Sequence, residues 1–281
     1  MISARLRGPL LATAALVGPG VSAAAVDGSA GWLPQGDLFA PIAAGSIEAL
    51  NYVGYAYVDP AGSKTFHGAL TSLGSSFPLY RWLTASGSAW QLDLFGDAKS
   101  QFNFDGPSDE LLNIDYFVGF PLSWRRDPWS MRVRLFHQSS HLGDEYLLSE
   151  DPPRQDISYE AVDVLVAYDV ASTRWYAGGG RILSDDGQLE DNSFRAGAEY
   201  VSAGLPLLGA HFVAGLDLFC RGDLDEAIES NATAGLRWQG REPGSGSVTA
   251  AAQAFTGPLP FGQFNGQSAT YYGVLLYFSL G

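Results

Sequence analysis

From residue 47 onward, apolar and polar positions alternate with a period of two. The clearest stretch runs over 112–124. Leu112, Ile114, Tyr116, Val118, Phe120, Leu122 and Trp124 fall on one face, and Asn113, Asp115, Phe117, Gly119, Pro121 and Ser123 on the other. A period of two over that length predicts a β-strand with one greasy face and one polar or small face. The next stretch repeats it, with Trp129, Met131, Val133 and Leu135 opposed to Arg132 and Arg134. Further on, Phe212, Ala214, Leu216 and Leu218 alternate with His211, Gly215 and Asp217, and Ala232, Ala234, Leu236 and Trp238 with Asn231, Thr233, Gly235 and Arg237. About twelve such segments can be drawn, at 48–58, 65–77, 87–98, 109–123, 128–140, 158–169, 172–182, 193–203, 207–219, 228–239, 247–257 and 269–280. Each has the length of a tilted membrane strand, about 10 residues. Pro78 and Arg81 interrupt the pattern between the second and the third.

The connections sort into two kinds. Those at 125–127, 170–171 and 204–206 are tight; those at 99–108, 141–157, 183–192, 220–227 and 258–268 are long, and all but the last are acidic. From the fourth segment on the two kinds alternate, as do the short periplasmic turns and long outer loops of an outer-membrane barrel. An even strand number puts both termini in the periplasm. A soluble sandwich or lipocalin-like barrel also alternates, but it turns its charges outward. Here the polar face is rich in Gly, Ala and Ser and nearly free of lysine. Trp124, Trp129, Trp175 and Trp238 lie near strand ends on the short-turn side, where an interfacial aromatic girdle belongs. The expected fold is all-β: a transmembrane antiparallel barrel of about 12 strands.

Composition narrows the function. The 281 residues carry a formal net charge of -14, only 16% are charged and 13% are aromatic, which excludes a disordered chain. A single cysteine, Cys220, excludes a disulfide framework and reads as an inert buried thiol. Lys64 and Lys99 are the only lysines, too few for a nucleic-acid surface. Arg5 and Arg7 precede an apolar stretch over 9–17 and the small residues Val21, Ser22, Ala23, Ala24 and Ala25, the order of an export signal. The expected organisation is a signal peptide over 1–25 with cleavage after Ala23 or Ala25, an N-terminal periplasmic segment over 26–47, and an outer-membrane barrel over 48–281. The lumen parity collects Asp93, Asp115, Arg132, Arg134, Asp163, Arg195, Glu199, Asp217 and Arg237. Buried charges need partners, so this mixed set predicts a plugged interior rather than a wide pore.

The stretch richest in chemistry is Phe136-His137-Gln138-Ser139-Ser140-His141-Leu142-Gly143-Asp144-Glu145. His137 and Ser139 share parity with Trp129, Met131, Val133 and Leu135 and so face lipid, where polar side chains are functional candidates. On the hairpin partner the same face holds Val162, Val164, Val166 and Tyr168, and one further step outward gives Glu160. Antiparallel pairing brings Glu160 beside His137 or Ser139. The expected constellation is Ser139 as nucleophile, His137 as general base and Glu160 as the orienting carboxylate, with the Gly143 backbone N–H or an ion held by Asp144 and Glu145 as the oxyanion donor. Asp144 and Glu145 offer oxygen ligands suited to Ca²⁺. The plainer alternatives are headgroup contacts for His137 and Ser139, and a turn built by Ser140, His141, Gly143 and Asp144. His67 and His211 lack ligand spacing for a transition metal. The expected partners are lipids of the outer leaflet and not nucleic acid.

The stretches WLPQGDLFAP at 32–41, NIDYFVGFPLSWR at 113–125, HQSSHLGDEYLL at 137–148, SYEAVDVL at 158–165 and FGQF with YYG near 261–273 resemble the bacterial domain-of-unknown-function family 1207. That resemblance spans the mature chain and implies an exported envelope protein without implying an activity. The site alone also resembles the outer membrane phospholipase A and lipid A deacylase barrels, which implies hydrolysis of lipid acyl esters with His137 as base, Ser139 as nucleophile and Glu160 as third member.

Overall fold

The computed structural model describes residues 30–106, 108–152, 157–184, 189, 192–205, 209–222, 227–240 and 245–279. The expected signal peptide and most of the 183–192 loop lie outside the described residues. A two-residue strand β1 (Gly31–Trp32) is followed by twelve long ones: β2 (Asn51–Pro60), β3 (Phe66–Leu83), β4 (Ala89–Asn103), β5 (Glu110–Arg126), β6 (Trp129–Leu142), β7 (Ile157–Val170), β8 (Thr173–Ser184), β9 (Asn192–Val201), β10 (His211–Arg221), β11 (Ile228–Gln239), β12 (Ser247–Pro258) and β13 (Ser268–Ser279). A short helix α1 (Asp144–Glu150) follows β6, and a 3-10 turn (Gly262–Phe264) precedes β13. Each long strand pairs antiparallel with its sequence neighbours, and β13 pairs with β2. The twelve strands therefore form a closed barrel with no free edge, which satisfies the backbone without water. No helix among the described residues is long and apolar enough to cross a membrane.

The wall follows the alternation. Tyr55, Val118, Phe120, Leu135, Val164, Leu216, Val274 and Leu276 are exposed on the outer face. At the short-turn end Trp82, Trp129, Tyr168, Trp175, Tyr200 and Trp238 are exposed in a ring, with Trp129 stacked obliquely on Tyr168 at 4.7 Å. That is the aromatic girdle. Eight of the nine expected lumen residues are buried, and Arg237 is half-buried.

Four boundaries differ from expectation. The second and third strands run further, to Leu83 and Asn103. Pro78 cannot donate to the ladder, and a register shift between Pro78 and Tyr80 absorbs it. That bulge turns Arg81 inward, where it is fully buried. The 99–108 loop is accordingly strand up to Asn103. The turn expected at 204–206 is a connection over 202–210, pinned by a Leu205–Ala210 bridge, so long and short connections do not alternate strictly.

The largest departure concerns the N-terminal segment. Expected to stand in the periplasm over 26–47, it enters the lumen. Leu38, Phe39, Ile42, Ala44, Ile47 and Glu48 are buried inside the barrel, and β2 starts only at Asn51. Wall side chains satisfy the strap's backbone. Arg81 donates to the carbonyls of Gln35 and Gly36 (2.9 and 2.6 Å), Arg174 to Ala40 (2.8 Å), Asn231 to Ala44 (2.7 Å), Arg134 to Ile47 (2.9 Å) and Lys99 to Glu48 (2.7 Å). The other end is capped by the 259–267 loop, whose Leu259, Phe261 and Phe264 join an apolar cluster with Val58, Leu70, Leu112 and Tyr271. Strap and cap thus place buried side chains across the lumen. The wild-type protein should therefore insert into planar bilayers with no steady open conductance; porin-sized steps would contradict the seal.

Candidate functional site

The inward and outward residues of β6 at its long-loop end have separate duties. Gln138 and Ser140 point inward. The Tyr159 hydroxyl donates to Gln138, and Ser140 Oγ donates to Asn113 Oδ1 at 3.0 Å. The cap loop is tied here: Gln263 donates its N–H to Ser140 Oγ (3.0 Å) and its side-chain amide to the Ser140 carbonyl (2.8 Å), while the Gly262 N–H reaches the Asp115 carboxylate at 3.1 Å. Ser140 is thus spent on the cap. His137, Ser139 and His141 take the opposite parity and face outward, with His141 6.0 Å from the Tyr116 ring.

Two members of the expected constellation meet. His137 pairs directly with Glu160 in the β6–β7 ladder, and its Nδ1 lies 3.1 Å from Glu160 Oε1. The side chains are 38% and 51% exposed, so the pair sits on the outer surface of the barrel rather than in the core. A carboxylate only accepts, so this contact favours the hydrogen on Nδ1; in a neutral ring Nε2 then carries the lone pair that a general base needs. Ser139 lies two residues on along the same face, between Tyr116 of β5 and Ser158 of β7. Its hydroxyl makes no hydrogen bond among the described residues, so the third contact is not closed. Catalytic hydrogen bonds commonly tighten only when substrate binds. A register shift between Glu160 and Ala161 leaves Leu183 of β8 without an opposite residue beside the pair, and bulges of this kind re-aim side chains.

The other expected members are placed elsewhere. The Gly143 N–H already bonds the Leu112 carbonyl at 3.1 Å, so it cannot serve an oxyanion. A Cβ at Gly143 would lie 1.8 Å from the Leu111 carbonyl oxygen, which explains the glycine. Asp144 and Glu145 form the first turn of α1, where carboxylates complement the helix dipole. Two adjacent exposed side chains do not supply the six to eight oxygens that Ca²⁺ takes, and no three candidate ligands gather among the described residues. Asp144 and Glu145 alone do not make a calcium cage among the described residues.

The sequence reading missed two groupings. His67, at the start of β3, bonds Asp105 through both its backbone N–H (2.9 Å) and Nδ1 (3.1 Å), beside Tyr55 and Tyr57. The backbone N–H holds the exposed Asp105 carboxyl below its usual range. Glu48, placed by sequence at the start of a strand, is the hub of the lumen. Its Oε1 accepts from Arg132 and Arg195, both at 2.7 Å, and its Oε2 from Arg132 at 2.7 Å. Arg195 continues to Asp217 at 2.8 Å.

Comparison with known proteins places this geometry in context. The backbone is similar to outer membrane phospholipase A from Escherichia coli, with a TM-score of 0.55 and 14% identity over 82% of this chain and 90% of that chain. The calcium-bound dimer of the Salmonella typhi outer membrane phospholipase gives a TM-score of 0.52 at 14% identity over 82% and 90%. At such identity the likeness is one of fold. Curated protein sequences return no match. A family model described as protein of unknown function (DUF1207) matches residues 13–280.

Proposed function

We propose, from the premise that this chain belongs to the DUF1207 family, that it is an outer-membrane barrel of a Gram-negative bacterium that hydrolyses acyl esters of membrane lipids on its outer surface. The observation that carries this reading is the His137–Glu160 pair, 3.1 Å apart on the lipid-facing side of β6 and β7 with Ser139 on the same face. A hydrolase of this kind needs its nucleophile where acyl esters lie, at the rim of the hydrocarbon. Ser139 Oγ attacks the ester carbonyl carbon, and His137 Nε2 takes the hydroxyl proton. The same imidazolium returns that proton to the departing alkoxide, leaving an acyl-serine. Water, deprotonated by His137, then releases the fatty acid and restores Ser139. Glu160 holds the ring and offsets its positive charge. The strap and cap inside the lumen support chemistry on the outside of the wall over transport through it.

The test is a phospholipid and lipid A hydrolysis assay on refolded protein in mixed micelles, with Ca²⁺ and with chelator. Release of fatty acid, blocked by a sulfonyl fluoride that labels Ser139, is expected. If neither lipid is cleaved in either condition, the second reading stands: a non-catalytic barrel whose His137 and Ser139 contact headgroups.

A further inference from the structure

Resting on the hydrolase reading, we propose that Ser158 is the oxyanion donor of the site, its hydroxyl holding the negative charge that develops on the ester carbonyl oxygen when Ser139 attacks. Acyl transfer to a serine needs such a donor, and the backbone offers none at this place. The Gly143 N–H is spent on the Leu112 carbonyl. β6 is paired on both sides at Ser139, with Tyr116 of β5 and Ser158 of β7, so the backbone N–H groups around the nucleophile serve the two ladders. On a wall strand of this kind the donor has to be a side chain.

Register sets four outward side chains in two adjacent rows. His137 stands opposite Glu160, and Ser139 opposite Ser158. Directly opposed residues have Cβ atoms about 4.5–5.5 Å apart, and neighbours on one strand face lie about 7 Å apart. Ser139 therefore has the base beside it along β6 and the Ser158 hydroxyl beside it across the ladder. Both serines are partly exposed. Neither hydroxyl makes a hydrogen bond among the described residues, to the other or to any third group. Opposed hydroxyls at this spacing commonly bond each other; here the gap between them stays open to a substrate oxygen. Tyr116, on the other side of Ser139, packs its ring by His141 at 6.0 Å, and its hydroxyl stands a whole ring further from its Cβ. A serine oxygen stays at the level where Ser139 attacks. As Ser139 Oγ bonds the carbonyl carbon, the C=O π electrons move onto the carbonyl oxygen, and the Ser158 O–H donates to it without giving up its proton. When the carbonyl re-forms, the alkoxide leaves with its electron pair and takes the proton from His137. β7 thus supplies both supports, Glu160 for the base and Ser158 for the oxyanion.

The decisive measurement compares wild type, Ser158→Ala, Ser158→Thr and Tyr116→Phe on a short-chain diacyl phosphatidylcholine and on its thionoester analogue, in which sulfur replaces the carbonyl oxygen. Ser158→Ala should lower kcat on the ester about 100-fold, the loss expected of one oxyanion donor, with KM within about twofold. Ser158→Thr keeps the hydroxyl and should recover most of that rate. Tyr116→Phe should match wild type. Sulfur is a weak acceptor, so the preference of wild type for ester over thionoester should shrink about 10-fold in Ser158→Ala. A merely structural role would lower both substrates alike and leave that preference unchanged, which would overturn the proposal. So would a Ser158→Ala rate within about twofold of wild type, or a loss that follows Tyr116→Phe instead. In those cases wild type still cleaves the ester and the hydrolase reading stands. Should wild type cleave neither lipid, that reading fails and the Ser158 assignment falls with it.

Discussion

Glu48→Ala should be the most destabilising single substitution in the lumen, by about 3–5 kcal/mol, because it takes from the buried Arg132 guanidinium its ion-pair partner and leaves the buried Arg195 with Asp217 alone. Arg132 and Arg195 both lose 2.7 Å contacts, and the Ile42 N–H loses its acceptor. Glu48→Gln should cost less, since one amide oxygen still accepts. The measurement is the unfolding midpoint in urea and detergent, with limited proteolysis between residues 35 and 50 as a local readout. An exposed control, Leu148→Ala, should leave both unchanged. The pH dependence has a definite sign. Burial alone would raise the Glu48 carboxyl, but the charges and hydrogen bonds of Arg132, then Arg195 and Arg134, hold it well below its ordinary value of 4.5. A carboxyl depressed by folding contributes stability that is fully present above the unfolded value and lost as the pH falls through the folded one. Strap protection should therefore hold from neutral pH down past the ordinary glutamate range and fail only in stronger acid. If Glu48→Ala resists urea and protease as wild type does, the strap does not hold the barrel closed.

The wall was legible because it obeys one rule. A period of two, uninterrupted for 10 residues or more, fixes both strand and facing, and eight of nine expected lumen groups are buried on that basis alone. Where a residue breaks the rule the reading slips. Pro78 hides the end of β3 because the bulge that accommodates it changes parity, so Arg81 cannot be assigned a side by counting. The strap was illegible for a different reason. Residues 37–48 have no period, and the wall holds them largely through their own backbone carbonyls, which no side-chain pattern announces. A retrospective signal exists: Leu38, Phe39, Ile42 and Ile47 are too apolar to stand in water, and Glu48 is an acid placed just before a membrane strand. The site was half legible. Once the antiparallel pairing of β6 with β7 is set, His137 must lie beside Glu160. Whether Gly143 is free to donate depends on a strand end that the sequence does not mark.

Ser139→Ala should lower lipid hydrolysis by a factor of about 10⁴ or more while leaving the barrel intact. The hydroxyl it removes makes no hydrogen bond among the described residues and is partly exposed, so its loss opens no core cavity. His137→Ala should fall nearly as far, because without Nε2 nothing takes the serine proton at neutral pH. Glu160→Gln should fall less, by about 100-fold, in keeping with an orienting role. Glutamine can still meet Nδ1, but its amide can also donate there and invert the tautomer, so part of the population presents Nε2–H to Ser139. The three effects should not add. Once Ser139 is absent, removing His137 or Glu160 should change little, because the members act as one unit. A double variant Ser139→Ala/Glu160→Gln with the rate of Ser139→Ala would show that Glu160 works through the nucleophile. A Glu160→Gln protein as active as wild type would reduce the 3.1 Å contact to surface packing. Full activity in Ser139→Ala would move the chemistry off β6 altogether.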